Sequence, residues 1–220
     1  MQSSLPLEPG HYYHIFNRGV NRTNIFNEDR NYAHFLTLYA RHVSPVADTF
    51  AYCLLGNHFH LLVRIRTEPE ADRSGFRNRS GPAPADHPEA DGSGLGALDQ
   101  RSVIQAFNNW LNAYAKAINK AYDRTGSLFQ RRFGRLAVMS ERHLVAVVHY
   151  IHYDPQKHGF VKNFRDWPYS SYDALLSDKP TRLARSAVLD WFGGPLELRR
   201  VHASPADESV IAAYIGDDEA

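Results

Sequence analysis

The sequence has little cysteine, little net charge and no long apolar run. Its 220 residues include one cysteine, and the formal net charge at pH 7 is only +1. A lone cysteine, Cys53, excludes a disulfide framework within the chain, and the first residues lack the basic and apolar regions of a signal peptide. We therefore expect a cytoplasmic location. No run reaches the ~18 apolar residues of a membrane helix, so we expect no membrane partner.

The near-zero net charge conceals an uneven distribution of charges. From Lys116 to Arg142 there are seven basic residues and two acidic ones, whereas the chain from Ala203 onward has five acids and no lysine or arginine. Aromatic residues are interleaved with the basic ones between Arg124 and Arg135. This pattern favours phosphate contacts combined with base stacking, as in single-strand nucleic-acid binders. A solvated face, or arginines that anchor the acidic tail, are the alternatives.

Hydrophobic periodicity and turn residues predict a mixed fold. The patterns indicate, in order, a strand (11–20), a helix (about 28–43), two strands joined by Gly56-Asn57 (49–55 and 59–66), a long helix (about 98–122), a strand (128–139) and a helix (141–153) stopped by Asp154-Pro155. This order predicts an α+β fold with a ferredoxin-like β-α-β-β-α-β core, an antiparallel sheet and additional C-terminal helices.

One stretch interrupts this pattern. Residues 68–98 are rich in proline, glycine, serine and charge, and contain Phe76 as their only aromatic residue. Such a composition buries too little apolar surface to offset its ordering entropy, so we expect a disordered insertion. The predicted organisation is one domain over residues 1–178 and a C-terminal extension with an acidic tail over residues 179–220.

Several histidines are candidate metal ligands. His58 and His60 alternate with Phe59 along an apolar strand, so both imidazoles point to the same face of the sheet. The pair is either half of a metal site or two hydrogen-bonded histidines. His14, on the neighbouring strand, is expected to be a buried structural histidine, with contact to the metal ligands as the alternative. His149 and His152 are three residues apart, which suits either a ligand pair or simple packing.

Tyr114 lies on the apolar stripe of the long helix, which faces the sheet. Its phenol could attack phosphorus and form a covalent phosphotyrosine. A tyrosine in this position also fits an ordinary core residue, so the residues alone leave both interpretations open.

Several segments resemble the REP-associated tyrosine transposases, which are relatives of the small HUH single-strand transposases. The matching runs stand in the same order along the chain, from residue 12 to about 176, and exclude the insertion and the residues after 180. They are YHIFNRG (13–19), GNHFHLLV (56–63), YAKAINK (114–120), RTGSLFQRRF (124–133), YIHYDP (150–155) and WPYSSY (167–172).

The resemblance implies a site and a reaction. His58 and His60 would hold a divalent metal ion (Mg²⁺ or Mn²⁺), and Tyr114 would attack single-stranded hairpin DNA to leave a 5′-phosphotyrosine and a free 3′-hydroxyl. The third metal ligand would be Asn119, although its position about 140° around the helix from Tyr114 leaves a surface amide as the alternative. The expected state is a monomer or homodimer. The expected DNA-binding residues are Arg18, Arg22, Lys116, Lys120, Arg124, Arg131, Arg132 and Arg135.

Two other functions remain open from the sequence. One is a domesticated protein that binds hairpin DNA without cutting it. The other is a metal-dependent nuclease that uses activated water, in which Tyr114 would be structural. A covalent protein–DNA adduct distinguishes the transposase from both.

Overall fold

Four antiparallel strands form the sheet at the centre of the molecule, in the order β2-β3-β1-β4. The structure is a computed structural model that describes residues 5–69 and 98–211. This strand order and the two crossover helices confirm the predicted ferredoxin-like α+β fold. The strands are β1 (Tyr12–Arg18), β2 (Ala47–Leu55), β3 (His58–Ile65) and β4 (Gly134–Val138).

Helices cover both faces of the sheet. Two of them, α1 (Asp29–His42) and α2 (Gln100–Ala121), pack on one face, and α3 (Glu141–Lys157) packs on the other. The helices after α3 are α4 (Tyr172–Leu176), α5 (Arg185–Phe192), α6 (Pro195–Val201) and α7 (Glu208–Ile211). Among the described residues, no helix is long and apolar enough to cross a membrane.

Strand β3 divides its side chains between two cores. Phe59 and Leu61 are buried in the core that contains α1 and α2, whereas Leu62 belongs to the core that contains α3. The alternation of a strand therefore places His58 and His60 on the α3 side. The β1–β3 register pairs Arg18 with His58 and Phe16 with His60. The helix that matters for the chemistry of the histidines is consequently α3.

Helix α3 extends further than the sequence predicted. Asp154-Pro155 was expected to stop it after Tyr153, but the helix continues to Lys157 with Pro155 inside it. A proline removes one backbone donor and disfavours this conformation at the preceding residue. Here Asp154 is fully buried against histidines of the sheet, and the helix ends before Gly159, whose φ of 72° is left-handed. Tertiary contacts thus override the local stop signal.

Strand β4 is shorter than the predicted 128–139. Leu128 and Phe129 are buried, but Phe129 forms only an isolated bridge, to Gly19, before β4 begins at Gly134. Gly134 is required where it stands, because a Cβ there would lie 2.2 Å from the ring of Phe16.

The C-terminal helices pack on α3. Val188, Phe192 and Leu198 are buried in the same core as Val148 and Ile151. Most of the predicted insertion, residues 70–97, lies outside the described residues, as do the last acids of the tail, Asp217, Asp218 and Glu219.

Candidate active site

His58, His60 and Asp154 form a buried group between β3 and α3. Their ligand atoms all lie within 4.8 Å of one another, and Asp154 is 0% exposed. The Asp154 Oδ2 atom is 3.1 Å from His58 Nε2 and 3.6 Å from His60 Nε2. Two imidazoles and one carboxylate are a donor set for a divalent metal ion. The sequence predicted the two histidines but not Asp154.

The hydrogen bonds of His58 indicate that a cation lies between His58 and Asp154. Asn57 Oδ1 accepts a hydrogen bond from His58 Nδ1 at 2.6 Å, so Nδ1 carries the hydrogen. In a neutral ring, Nε2 then presents a lone pair to the carboxylate of Asp154, which is itself an acceptor. Two acceptors 3.1 Å apart repel each other unless a proton or a metal ion lies between them. The residues therefore fit a metal ion.

The other atoms of the group are held by further histidines. His14 Nε2 lies 2.9 Å from His60 Nδ1, which leaves His60 Nε2 facing Asp154. His14 thus orients a candidate ligand and is not merely a structural histidine. On the other side, His158 Nε2 is 3.2 Å from Asp154 Oδ1, but this buried oxygen has no partner with hydrogen-bond geometry.

Burial and charge set the protonation of the group. Burial lowers the pKa of His60 well below its usual value, although the Asp154 carboxylate acts in the opposite direction. Burial alone would raise the pKa of Asp154, but His60, His158 and His58 together hold it well below its usual value. Asp154 is therefore ionised and His60 neutral at pH 7. These are the protonation states in which both residues bind metals.

Tyr150 lies beside this group. It stands one helical turn before Asp154 on α3, and its ring centroid is 5.7 Å from that of His60. The Tyr150 hydroxyl is buried and has no hydrogen-bond partner among the described residues. The Lys157 ammonium lies 5.4 Å from the centroid of the Tyr150 ring. An unpartnered phenol next to a candidate metal group is a candidate nucleophile.

Tyr114, the tyrosine that the sequence indicated, lies on the opposite face of the sheet. Its hydroxyl donates a 2.6 Å hydrogen bond to the carbonyl of Ile25, and its ring packs against Phe35 and Phe26. Burial raises the pKa of Tyr114 far above its usual value. The expectation that a stripe facing the sheet brings Tyr114 to the histidine pair therefore does not hold, because the stripe faces the other side.

Asn119 is likewise remote from the histidines. Its amide donates to the carbonyl of Gly126 at 2.8 Å and accepts from Arg124 at 3.0 Å, so it closes the turn after α2. The motif YIHYDP contained the signal for the pair that lies beside the histidines, since Tyr150 and Asp154 are four residues apart. Reading Asp154-Pro155 as a helix stop concealed it.

The predicted DNA-binding residues fall into two groups. Arg135 is half-buried and lies over the ring of Phe133, and burial lowers its pKa. Arg18 and Arg124 are also half-buried. The remaining predicted residues have exposed side chains: Arg22, Lys116, Lys120, Arg131 and Arg132. Phe129 and Phe133, expected to stack on bases, are buried in the core instead.

His149 and His152 do not form a ligand pair, because both ring nitrogens of His152 have other partners, although His149 Nε2 has none. His152 Nδ1 is 2.9 Å from His202 Nε2, and His152 Nε2 is 2.8 Å from Ser171 Oγ. His202 Nδ1 donates to the carbonyl of Leu198 at 2.8 Å. These hydrogen bonds connect α3 to α6 and to the segment before α4, which explains why the C-terminal helices are attached to α3.

Comparison with known proteins identifies the relatives of the chain. No family model matches it. A Haemophilus influenzae protein provisionally named a REP-associated tyrosine transposase is 28% identical over 150 residues, which are 67% of this chain and 68% of that protein. The chain is thus similar to a protein that bears the name of this family. This confirms the resemblance that the sequence motifs indicated.

A solved structure described as a REP-associated tyrosine transposase bound to a REP hairpin has the same fold. The TM-score is 0.54 at 16% sequence identity, and the match covers 82% of this chain and 88% of that chain. This likeness shows that the two chains share a fold.

Proposed function

We propose that the chain is a transposase-type DNA strand transferase that nicks and rejoins single-stranded hairpin DNA through a covalent bond to Tyr150. The observation that carries this proposal is the buried His58–His60–Asp154 group with the ring of Tyr150 beside it, whose buried hydroxyl has no hydrogen-bond partner among the described residues. Tyr150 replaces Tyr114, the nucleophile expected from the sequence, because Tyr114 is separated from the histidines by the sheet.

His58, His60 and Asp154 would hold the divalent ion. When bound, such an ion polarises a phosphodiester oxygen and neutralises charge that develops at phosphorus. Imidazole ligands favour Mn²⁺ over Mg²⁺, which prefers a shell of oxygen atoms. Asn57 and His14 act on this site indirectly, because their hydrogen bonds to the Nδ1 atoms turn both Nε2 atoms toward Asp154.

Tyr150 would carry out the covalent step. Its oxygen forms a bond to phosphorus while the bond from phosphorus to the 3′ oxygen breaks. The phenol loses its proton and the departing 3′ oxygen gains one, which leaves a 5′-phosphotyrosine and a free 3′-hydroxyl. The Lys157 ammonium places positive charge beside the ring whose oxygen becomes negative. Rejoining is the same step in reverse, so one tyrosine serves both directions.

The DNA substrate follows from the relatives and from the surface. The solved structure with this fold is described as bound to a REP hairpin, and we extend that substrate class to this chain. Arg131 and Arg132 before β4, with Lys116 and Lys120 on α2, offer exposed cations to a phosphate backbone. A DNA substrate also fits the cytoplasmic location expected from the sequence.

Trapping a protein–DNA adduct tests the proposal. The unaltered chain with Mn²⁺ and hairpin DNA should form an adduct that survives denaturing electrophoresis, and Tyr150→Phe should abolish it because only the nucleophilic oxygen is lost. Tyr114→Phe is the matched control and should form the adduct normally. His58→Ala with His60→Ala should also abolish it. An adduct in Tyr150→Phe, or its loss in Tyr114→Phe alone, would contradict the assignment.

A non-cutting hairpin-binding protein is the second candidate. The observation that favours it is the burial of Tyr150, which is 1% exposed, so a DNA strand reaches its hydroxyl only if neighbouring side chains move. On this hypothesis the unaltered chain binds hairpins tightly and forms no adduct with any divalent ion. The same experiment therefore decides between the two functions.

A further inference from the structure

An exposed aromatic residue, Phe160, lies beside the candidate active site. Its side chain is 40% exposed, whereas most large apolar side chains of the described residues are buried. It follows His158, which contacts Asp154, by two residues. The Phe160 N–H donates to the carbonyl of Pro155 at 2.9 Å, so the reversal at Gly159 holds this residue against the end of α3. The position of Phe160 is thus fixed relative to the site.

The ring of Phe160 also reaches the strand that carries the histidines. A Cβ on Gly56 would lie 3.4 Å from Phe160 Cε1, and Gly56 precedes His58 by two residues. Phe160 therefore bridges the end of α3, where His158 contacts Asp154, and the β2–β3 turn that precedes His58.

Trp167 extends this surface and is held rigidly. Its ring centroid is 5.5 Å from that of Phe160, and its Nε1–H donates to the carbonyl of Leu54 at 3.0 Å. Tyr169 follows at 5.6 Å and stacks on Tyr32 at 3.5 Å. We call Phe160 and Trp167 the aromatic rim. Because Trp167 is hydrogen-bonded to β2, the rim loses little conformational freedom when it binds a ligand.

The charges around the rim suit a polyanion. Along the chain from Pro155 to Tyr169 there are two lysines, Lys157 and Lys162, and one carboxylate, Asp166. The third cation of this stretch, Arg165, lies over the ring of Phe164 and donates to the carbonyl of His202. Arg18 is paired with His58 across the sheet. Exposed rings among cations are the arrangement by which proteins bind single-stranded nucleic acid, with bases on the rings and phosphates on the cations.

We propose that the aromatic rim binds one unpaired base of the DNA strand, next to the phosphodiester that Tyr150 attacks. This inference rests on the proposed function and adds a stacking subsite to it. Stacking on a ring needs an open base face, which an unpaired nucleotide offers and a base inside a stem does not. The rim would thereby place the phosphate that adjoins this base at the metal group.

The test uses hairpin oligonucleotides with unpaired flanks, each carrying 2-aminopurine at one flanking position. Stacking quenches 2-aminopurine, so binding of the unaltered full-length chain should quench it at one unpaired position. Phe160→Leu keeps an apolar side chain but loses the ring, so it should lose the quenching and weaken binding about tenfold. Phe160→Trp should restore both. The salt dependence of binding should stay unchanged, because no charge is removed.

Leu196→Ala is the matched control, since Leu196 is 78% exposed on α6 and should leave binding and quenching unaltered. Normal binding and quenching in Phe160→Leu would overturn the subsite while leaving the proposed function intact. So would quenching confined to the terminal base pair of the stem, because the rim would then take the duplex end. If the unaltered chain binds no hairpin even at low salt, both the proposed function and this subsite are wrong.

Discussion

Tyr150 and Asp154 lie on the same face of α3, one helical turn apart, and the Asp154 carboxylate is 3.1 Å from His58 Nε2 on the neighbouring sheet. A single helix thus supplies both the candidate nucleophile and the third candidate metal ligand. Because they are four residues apart on one helix, their positions relative to each other do not depend on where α3 packs on the sheet.

Metal binding should depend on Asp154 and not on Asn119. Asp154→Asn removes the anionic ligand and should weaken Mn²⁺ binding by at least tenfold, whereas Asn119→Ala should leave the affinity unchanged. A ligand that binds only the folded state raises its stability. The increase in melting temperature on adding Mn²⁺ therefore measures the effect. A normal increase in Asp154→Asn would show that the metal is held elsewhere.

Tyr114 should contribute to stability. Tyr114→Phe leaves the buried carbonyl of Ile25 without its 2.6 Å hydrogen bond, so we expect a loss of ~1–3 kcal/mol in the free energy of unfolding. Tyr122→Phe is the control, because the Tyr122 hydroxyl donates to the exposed Glu28 and to Asn31 Oδ1, which keeps two backbone donors without it. Its loss should therefore cost less than ~0.5 kcal/mol. Urea unfolding measures both. Equal losses in the two variants would contradict the burial argument.

Stability should fall on mild acidification because of His202. Burial lowers the pKa of His202 from 6.5 to about 3. Between these values the unfolded state binds more protons than the folded state, so stability decreases as the pH falls below 6.5. The expected loss from about pH 6.5 to about pH 5 is ~2 kcal/mol, at ~1.4 kcal/mol per pH unit.

His202→Gln isolates this contribution. The variant removes the titrating group, so its own loss of stability over the same pH interval should be smaller by about that amount. Urea unfolding at the two pH values gives the comparison even if the variant is less stable throughout. An identical pH dependence in the variant would assign the acid sensitivity to other groups, such as His152, whose pKa burial also lowers.

The arginines before and within β4 should separate into two classes. Arg131 and Arg132 are exposed, and replacing both with alanine should reduce the slope of log K against log salt by about 0.7 per lost phosphate contact. Arg135→Ala should instead lower the melting temperature and keep the salt slope, because its guanidinium packs on Phe133. Hairpin binding at several salt concentrations, with a melting curve, checks both. A flatter slope in Arg135→Ala alone would reverse the assignment.

The sequence predicted the sheet and the histidine pair because both depend on local periodicity. Alternation along β3 places His58 and His60 on one face, and this holds whatever packs above them. Local periodicity could not show which helix packs on that face. Both α2 and α3 carry a tyrosine on an apolar stripe, and only the crossover of the chain puts α3 with Tyr150 over the histidines.

The third candidate ligand was missed for a different reason. Asp154 precedes a proline, and local preference alone puts such a residue in extended backbone at a helix end. Its burial against three histidines keeps it helical. His58 and His60 stand 96 and 94 positions earlier in the chain, and His158 stands four positions later. Contacts between residues so far apart in the chain cannot be predicted from a short stretch of sequence.

The two faces of β3 contribute to different cores, so substitutions on the two faces should have different effects. Phe59, Leu61 and Val63 contribute to the apolar core with α1 and α2, while His58 and His60 contribute to the polar group with α3. In a scan of all single substitutions from His58 to Leu61, the losses should alternate in kind with a period of two. Substitutions of Phe59 and Leu61 should reduce the amount of folded protein. Substitutions of His58 and His60 should instead yield abundant, well-folded protein that no longer forms the adduct with hairpin DNA.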